Sequence, residues 1–202
     1  MDLPVDRGKG LAALHVHESL PAVAAPGGHY LPFQLGPGNL CYLSGYISRY
    51  PDGKTICGTH VDNTIRALLP DDFEGVLDAD AGSEAARTCA LGHLAILKDC
   101  CGGLSNVKRF IKVTCFVNVL PTPVMCAIVA ESANRNVASA PWFSESPKVA
   151  NGYTDLITQV LGGAGAHARS AVCASGLPFG AAVEVEAIVE LMDASLVAAR
   201  DQ

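Results

Sequence analysis

Two charged side chains in the last fifth of the sequence are the first candidates for chemistry. Arg169 lies in the run 168–173, and Glu184 lies in the alternating run 182–191. A guanidinium group offers a rigid fork of N–H donors that fits a carboxylate bidentately, and it stays charged at physiological pH. A carboxylate in a partly dry cleft can hold and polarise water. By residue type, Arg169 is therefore a candidate for binding a carboxylate and Glu184 a candidate for holding water.

Each of these residues also has a structural interpretation. Arg169 could instead form an ion pair with a strand glutamate across a subunit interface. Glu184 shares one face of its predicted strand with Glu186 and Glu190, so all three carboxylates could simply be solvated. The residue types alone leave these alternatives open.

Apolar spacing predicts two helices. The first covers 83–101, with Ser83 as its N-cap and Gly102 just after its end. The second begins with Ser146 as its cap and has Pro147 in its first turn, where proline is tolerated.

Four segments are predicted as strands. Residues 40–47 form one that ends near the Ser-Gly pair, and 107–119 alternate, with Ile111 on the apolar face. The runs 168–173 and 182–191 are predicted to form a hairpin. The order of elements predicts an α+β sandwich whose sheet has one apolar face covered by both helices. The other face must meet water or another subunit.

A single domain is expected over 29–192, after an N-terminal extension over 1–28. The stretches 54–82 and 120–145 show no sustained period and are expected to be surface insertions. Residues 193–202 are expected to form a C-terminal tail.

Composition limits the function. A net charge of -6 and a pI near 5.4 argue against general affinity for nucleic acid, which draws on lysine and arginine. The eight cysteines lack the spacing of a zinc site, and they are expected to be reduced thiols. With no secretory signal and no long apolar run, we expect a cytoplasmic protein without membrane contact. Neither a metal nor a cofactor is predicted.

Several short motifs resemble one known family. They are Gly38-Asn39-Leu40-Cys41-Tyr42-Leu43-Ser44-Gly45, Pro147-Lys148-Val149-Ala150-Asn151-Gly152, His167-Ala168-Arg169-Ser170, Leu177-Pro178 and Val183-Glu184-Val185-Glu186-Ala187. In this order they resemble the Rid (YjgF-type, endoribonuclease L-PSP-like) family over roughly residues 29–192. The match is to a branch with the Pro-Lys-Val-x-Asn-Gly and His-Ala-Arg-Ser motifs.

The resemblance implies a fold, an assembly and a reaction. The best-known members have a chorismate-mutase-like fold and form trimers with clefts between subunits, where they hydrolyse reactive imines and enamines made by amino-acid enzymes. By this resemblance, Arg169 holds the carboxylate of a 2-imino acid and Glu184 positions water. The implied partners are a small carboxylate-bearing metabolite and other copies of the chain.

The resemblance places five further residues at substrate-binding positions: Tyr30, Ser44, Tyr46, Asn151 and Ala171. Three of them have ordinary alternatives, since Ser44 could form a turn, Tyr30 could be a core residue, and Asn151 could be an unremarkable helix residue.

Three departures from the family pattern weaken this transfer. Tyr46 replaces the usual Gln, Ala171 replaces a common Cys, and His167 replaces a residue that is usually Pro. His167 is interpreted as either a pH-sensitive cleft group or a surface residue before a strand. The departures indicate a different substrate or lost catalysis.

Three functions compete at this stage. The leading hypothesis is an imine or enamine deaminase. The second is a non-catalytic, regulatory trimer that binds a small carboxylate. An endoribonuclease is the third, and the acidic composition disfavours it.

Overall fold

The computed structural model describes residues 20–61, 63–67, 69, 74–120 and 143–197. The elements in these ranges, in chain order, are β1 (Phe33–Leu35), β2 (Leu40–Ile47), β3 (Thr59–His60), α1 (Asn63–Arg66), β4 (Val76–Leu77), α2 (Ala79–Cys100), β5 (Val107–Asn118), α3 (Ser146–Leu161), β6 (Ala168–Ala174) and β7 (Val183–Leu191).

The main sheet has the strand order β1-β2-β7-β5-β6. Its neighbours are antiparallel except for β5 and β6, which run parallel and are linked through α3. The helices α2 and α3 pack on each other and on one face of the sheet, with the apolar core between the layers. This confirms the predicted α+β architecture with two helices on one face of a mixed sheet.

The predicted hairpin between the last two strands is wrong. β6 pairs with β5 at the edge of the sheet, whereas β7 lies in the interior of the sheet between β2 and β5. The physical reason is visible in their burial. Every second residue of β7 is buried, from Val183 to Leu191, as an interior strand requires. β6 contains no fully buried residue, which suits an edge.

The two predicted helix caps are also wrong. Asp78, five residues before Ser83, caps α2, and its carboxylate accepts a hydrogen bond from the Ala81 N–H at 2.8 Å. In α3 the cap position belongs to Glu145, whose side chain makes no capping bond, and Ser146 is the first helical residue. An aspartate caps as well as a serine, so apolar spacing alone places a helix start only to within about a turn.

Two strands contain irregularities that alternation did not predict. In β5 the pairing register shifts on both sides of Arg109, and Phe110 rather than Ile111 enters the core. In β2 the register with β7 shifts between Leu43 and Tyr46, and the strand continues past Gly45 to its end. The second irregularity lies beside the candidate site.

The stretch 54–82 contains β3, α1, β4 and the start of α2. Its residues Val61, Ile65 and Leu69 form a small apolar cluster of their own, together with Leu120. In the other predicted insertion, residues 121–142 lie outside the described residues, as do 1–19 and 198–202. Among the described helices, none combines the length and the apolar character needed to cross a bilayer.

Candidate functional site

Glu184 lines a small pocket beside the irregularity in β2, with a volume of about 60 Å³. The pocket brings together four predicted site residues, here called the acid half-site: Tyr30, Ser44, Tyr46 and Glu184. Tyr30 is 51% exposed, so it is not a core residue. The Ser44 hydroxyl donates to the Leu31 carbonyl at 2.6 Å, which ties β2 to the segment that carries Tyr30.

The Glu184 carboxylate packs directly over Gly45. A Cβ at position 45 would overlap the carboxylate, so only glycine allows this close approach. Burial raises the pKa of Glu184, and the nearby negative charge of Glu186 raises it further. A carboxylate with a raised pKa is a stronger base, which suits it to accept a proton from water.

A buried chain of hydrogen bonds connects the backbone of the acid half-site, at Ser44, to the core. His93, on α2, contacts the Ser44 carbonyl through Nε2 at 3.1 Å and the Tyr153 hydroxyl through Nδ1 at 2.7 Å. Because a carbonyl only accepts, Nε2 carries the proton and Nδ1 accepts from the Tyr153 O–H. Burial lowers the pKa of His93 to about 4, consistent with a neutral ring.

Tyr46 forms the wall between the pocket and α2. A Cβ at Gly92 would overlap the Tyr46 ring, and the ring lies edge-on to His93 with centroids 5.9 Å apart. Burial raises the pKa of Tyr46, while the positive charge of Arg49 acts in the opposite direction. The phenol ring is therefore packed against the helix layer.

Arg169 lies elsewhere, on β6 beside the first turns of α3. Its guanidinium donates to the Thr154 hydroxyl at 2.8 Å, the Asn151 side-chain oxygen at 3.0 Å and the Pro147 carbonyl at 3.0 Å. The structure thus brings Arg169 and Asn151 together. It adds Thr154, which sequence reasoning missed.

His167 completes this second group. Its Nδ1–H donates to the Gly165 carbonyl at 2.6 Å, so its Nε2 accepts from the Thr154 hydroxyl at 3.1 Å. Burial lowers the pKa of His167, and the positive charge of Arg169 contributes in the same direction. We call Asn151, Thr154, His167 and Arg169 the arginine half-site. His167 is half-buried and bonded on both nitrogens, so it is not a free surface histidine.

Ala171 lies two residues after Arg169 on β6. It packs against the apolar core, and its carbonyl accepts a long hydrogen bond of 3.5 Å from the Ser146 hydroxyl.

The side chains of Arg169 and Glu184 lie on opposite faces of the sheet. Arg169 pairs in register with Val113, which is buried under the helices, and Glu184 pairs with Phe116 on the uncovered face. Side chains of paired residues point to the same face. The structure of one chain therefore does not bring Arg169 and Glu184 together.

The three glutamates on the uncovered face of β7 differ in their surroundings. Glu190 bonds Lys108 and Arg109, each at 2.7 Å, and these cations lower its pKa. The pKa of Glu184 is raised instead. The three carboxylates therefore have different surroundings: Glu184 lines the pocket of the acid half-site, and Glu186 lines a separate pocket with Lys112 and Thr114.

Comparison with solved structures identifies the class of protein. The chain is similar to Atu1372 from Agrobacterium tumefaciens, a protein of unknown function, with 33% identity and a TM-score of 0.61 over 82% of this chain and 85% of that one. It is also similar to a candidate endoribonuclease from Shewanella oneidensis MR-1, with 25% identity and a TM-score of 0.65 over 92% and 99% of the two chains. The chain belongs to the Rid (YjgF-type, endoribonuclease L-PSP-like) family.

The chain also has a relative among the curated proteins, found by sequence similarity. The chain is 35% identical to protein TCP17 of Trypanosoma cruzi over 173 residues. This match covers 85% of this chain and 87% of that protein. No protein-family model matches the chain.

Proposed function

We propose that this protein hydrolyses reactive 2-imino acids and their enamine forms in clefts between the subunits of a homotrimer. One observation carries the proposal: Arg169 and Glu184 each belong to a defined group of side chains within the chain, yet the two side chains lie on opposite faces of its sheet. A cleft that holds both groups requires two chains.

The acid half-site supplies the water chemistry. Glu184 accepts a hydrogen bond from a water molecule, whose oxygen attacks the C=N carbon while its proton passes to the carboxylate. Glu184 passes this proton to the imine nitrogen, which gives a carbinolamine. It then transfers the O–H proton of the carbinolamine to the same nitrogen, so that the C–N bond breaks, the C=O bond forms and ammonia leaves. The products are a 2-keto acid and ammonia, and Glu184 returns to its starting state. Burial of Glu184, which raises its pKa, supports this role.

The arginine half-site supplies binding. Described groups accept from three of the five guanidinium N–H donors of Arg169, which fixes the plane of the group. Among the described residues the other two N–H donors have no partner, and we assign them to a substrate carboxylate. Because the guanidinium is held before the ligand arrives, little side-chain freedom is lost on binding.

The uncovered sheet face supports assembly. It mixes apolar and polar side chains, as a partly hydrated subunit interface does. Tyr42 and Val172 are 43% and 41% exposed there, beside Lys112, Glu186 and Ile188. Burial of such residues against another copy would stabilise a homotrimer.

A non-catalytic trimer that binds a small carboxylate is the second candidate. It is favoured by Ala171, which packs into the core where deaminases of the family carry a cysteine, and by Tyr46, whose ring replaces an amide. An endoribonuclease, the activity that the description of the Shewanella relative suggests, fits the acidic chain poorly.

Mixed trimers test the proposal. Chains carrying Arg169→Lys are co-expressed with chains carrying Glu184→Gln, and the decay of 2-aminoacrylate is followed with the purified mixture. Each variant alone should be nearly inactive. Random assembly restores both groups in about a quarter of the clefts, so the mixture should recover about a quarter of wild-type activity.

The matched control mixes either single variant with the double variant, which can restore no cleft and should stay inactive. A chain that sediments as a monomer at micromolar concentration, or a mixture without recovery, would contradict an inter-subunit site. Unchanged imine decay with the wild type, combined with pyruvate binding, would favour the carboxylate-binding trimer instead.

A further inference from the structure

A second cavity adjoins the acid half-site, outside the α2 helix. It has a volume of about 350 Å³, within the range of small-molecule pockets. It lies between the segment 21–24, the turn 50–53 after β2, and the α2 residues Thr88 and Leu91. Pro21, Val23, Pro51 and Leu91 make its lining mainly apolar.

Arg49 is the cation that lines this cavity. Its backbone N–H donates to the Thr88 hydroxyl at 3.1 Å, which fixes the residue against α2. Within the described part of the chain, its guanidinium makes one long bond, of 3.5 Å, to the Gly53 carbonyl. The cavity's carboxylate, Asp52, pairs instead with Lys54 at 3.3 Å. Among the described residues, no acid forms an ion pair with Arg49.

An uncompensated guanidinium beside an apolar cavity selects one kind of ligand. The apolar walls favour a hydrocarbon or aromatic body, which loses water contact on entry. The guanidinium favours a carboxylate, which it can bind through two N–H groups. Arg49 and Tyr46 line both this cavity and the Glu184 pocket, so the two spaces meet at these side chains.

We propose that this cavity is a second ligand site, which takes a small amphipathic carboxylic acid with its apolar body between residues 21–24 and α2 and its carboxylate on Arg49. The site uses neither Arg169 nor Glu184, and it does not depend on the deaminase activity. Because Tyr46 is a shared wall, a ligand here contacts the residue that bounds the acid half-site.

Calorimetry with 3-phenylpropionate tests the proposal on the full chain. The wild type should bind the acid. Two matched ligands should bind at least roughly tenfold more weakly: 3-phenylpropionamide, which lacks the charge, and propionate, which lacks the aromatic body.

Variants locate the site. Arg49→Gln should weaken binding of 3-phenylpropionate by roughly tenfold or more. Lys54→Gln is the matched control, because it removes one positive charge from the same turn at an exposed residue outside the cavity lining. It should change the affinity less than about twofold, the scale of an exposed charge. Leu91→Trp should block binding by filling the cavity from α2.

Arg169→Lys separates this proposal from the proposed function. It should weaken pyruvate binding but leave 3-phenylpropionate binding intact, whereas Arg49→Gln, at a residue that also lines the Glu184 pocket, should weaken 3-phenylpropionate binding more than pyruvate binding. Loss of 3-phenylpropionate binding in Arg169→Lys with retention in Arg49→Gln would overturn the second site while supporting the first. Wild-type protein that fails to bind at millimolar ligand, equal losses in Arg49→Gln and Lys54→Gln, or unchanged binding in Leu91→Trp would each overturn it as well.

Discussion

The two half-sites are held in different ways. The acid half-site is fixed from inside, because the backbone beside Glu184 is bonded through His93 to Tyr153 in the core. The arginine half-site is fixed from outside, by side-chain bonds from Arg169 to partly exposed groups of α3. The geometry of the carboxylate is therefore coupled to the stability of the fold. The geometry of the guanidinium can change while the core stays intact.

The largest expected effect is the pH dependence of stability that His93 contributes. An unfolded histidine binds a proton below about pH 6.5, but the folded ring resists protonation until about pH 4. The unfolded state thus binds more protons in this window, and the free energy of unfolding falls as pH falls through it. At about 1.4 kcal/mol per pH unit, the loss attributable to His93 is about 3 kcal/mol and is complete near pH 4.

Two measurements check this prediction. Urea unfolding between pH 7 and 4 should show a smaller loss in His93→Leu than in the wild type, whereas exposed His29→Gln should follow the wild-type curve. An NMR titration of the folded wild type should show the His93 ring neutral down to about pH 4. Titration of that ring near pH 6.5 would show that the hydrogen-bond chain to Ser44 is not formed in solution.

A smaller effect is expected from Gly45→Ala, which acts on the acid half-site alone. The added methyl group displaces the Glu184 carboxylate, so imine hydrolysis should fall roughly 100-fold, as when a general base is removed. Gly163→Ala is the matched control, because a Cβ there meets no heavy atom within 4 Å. Full activity in Gly45→Ala would mean that Glu184 does not act from its present position.

The smallest effect is expected in the arginine half-site. Thr154→Val removes one hydroxyl that accepts from Arg169 and donates to His167. Pyruvate affinity should fall by about 1 kcal/mol, or roughly fivefold, with little change in melting temperature. Thr158→Val, on the same helix, is the control, because its hydroxyl bonds only backbone carbonyls. A large loss of stability in Thr154→Val would contradict the view that this half-site is independent of the core.

The layered fold was predictable because its signals are local. The spacing of apolar residues in 182–191 and in 83–101 predicts which side chains are buried. The structure buries Val185, Leu94 and Leu97, as those patterns require. Strand pairing is not a local property, which explains the wrong hairpin. Adjacent strands in the chain suggested pairing, but the parallel crossover through α3 places β6 beside β5.

The site was predictable only in part, for a related reason. Arg169 and Glu184 are recognisable as candidates from their residue types. That they lie on opposite faces of the sheet depends on how β6 and β7 pair with β5, and the sequence of one strand does not specify that pairing. The chain from Ser44 through His93 to Tyr153 joins residues 49 and 60 positions apart. The one sequence signal for this hydrogen-bond chain was His93, which lies within the apolar stripe of a predicted helix. A histidine in such a position does not by itself indicate a particular role.

The position of β7 also sets how the chain folds. This strand follows every other strand in the sequence, yet it pairs with both β2 and β5. Until residues 183–191 have left the ribosome, β2 and β5 have no partner between them, and their inner edges carry unpaired backbone groups. Closure of the sheet thus depends on contacts between distant residues, and such topologies fold slowly. A chain that ends before Val183 would not form a smaller version of the same domain. It would expose the unpaired edges of β2 and β5, which can pair with other chains.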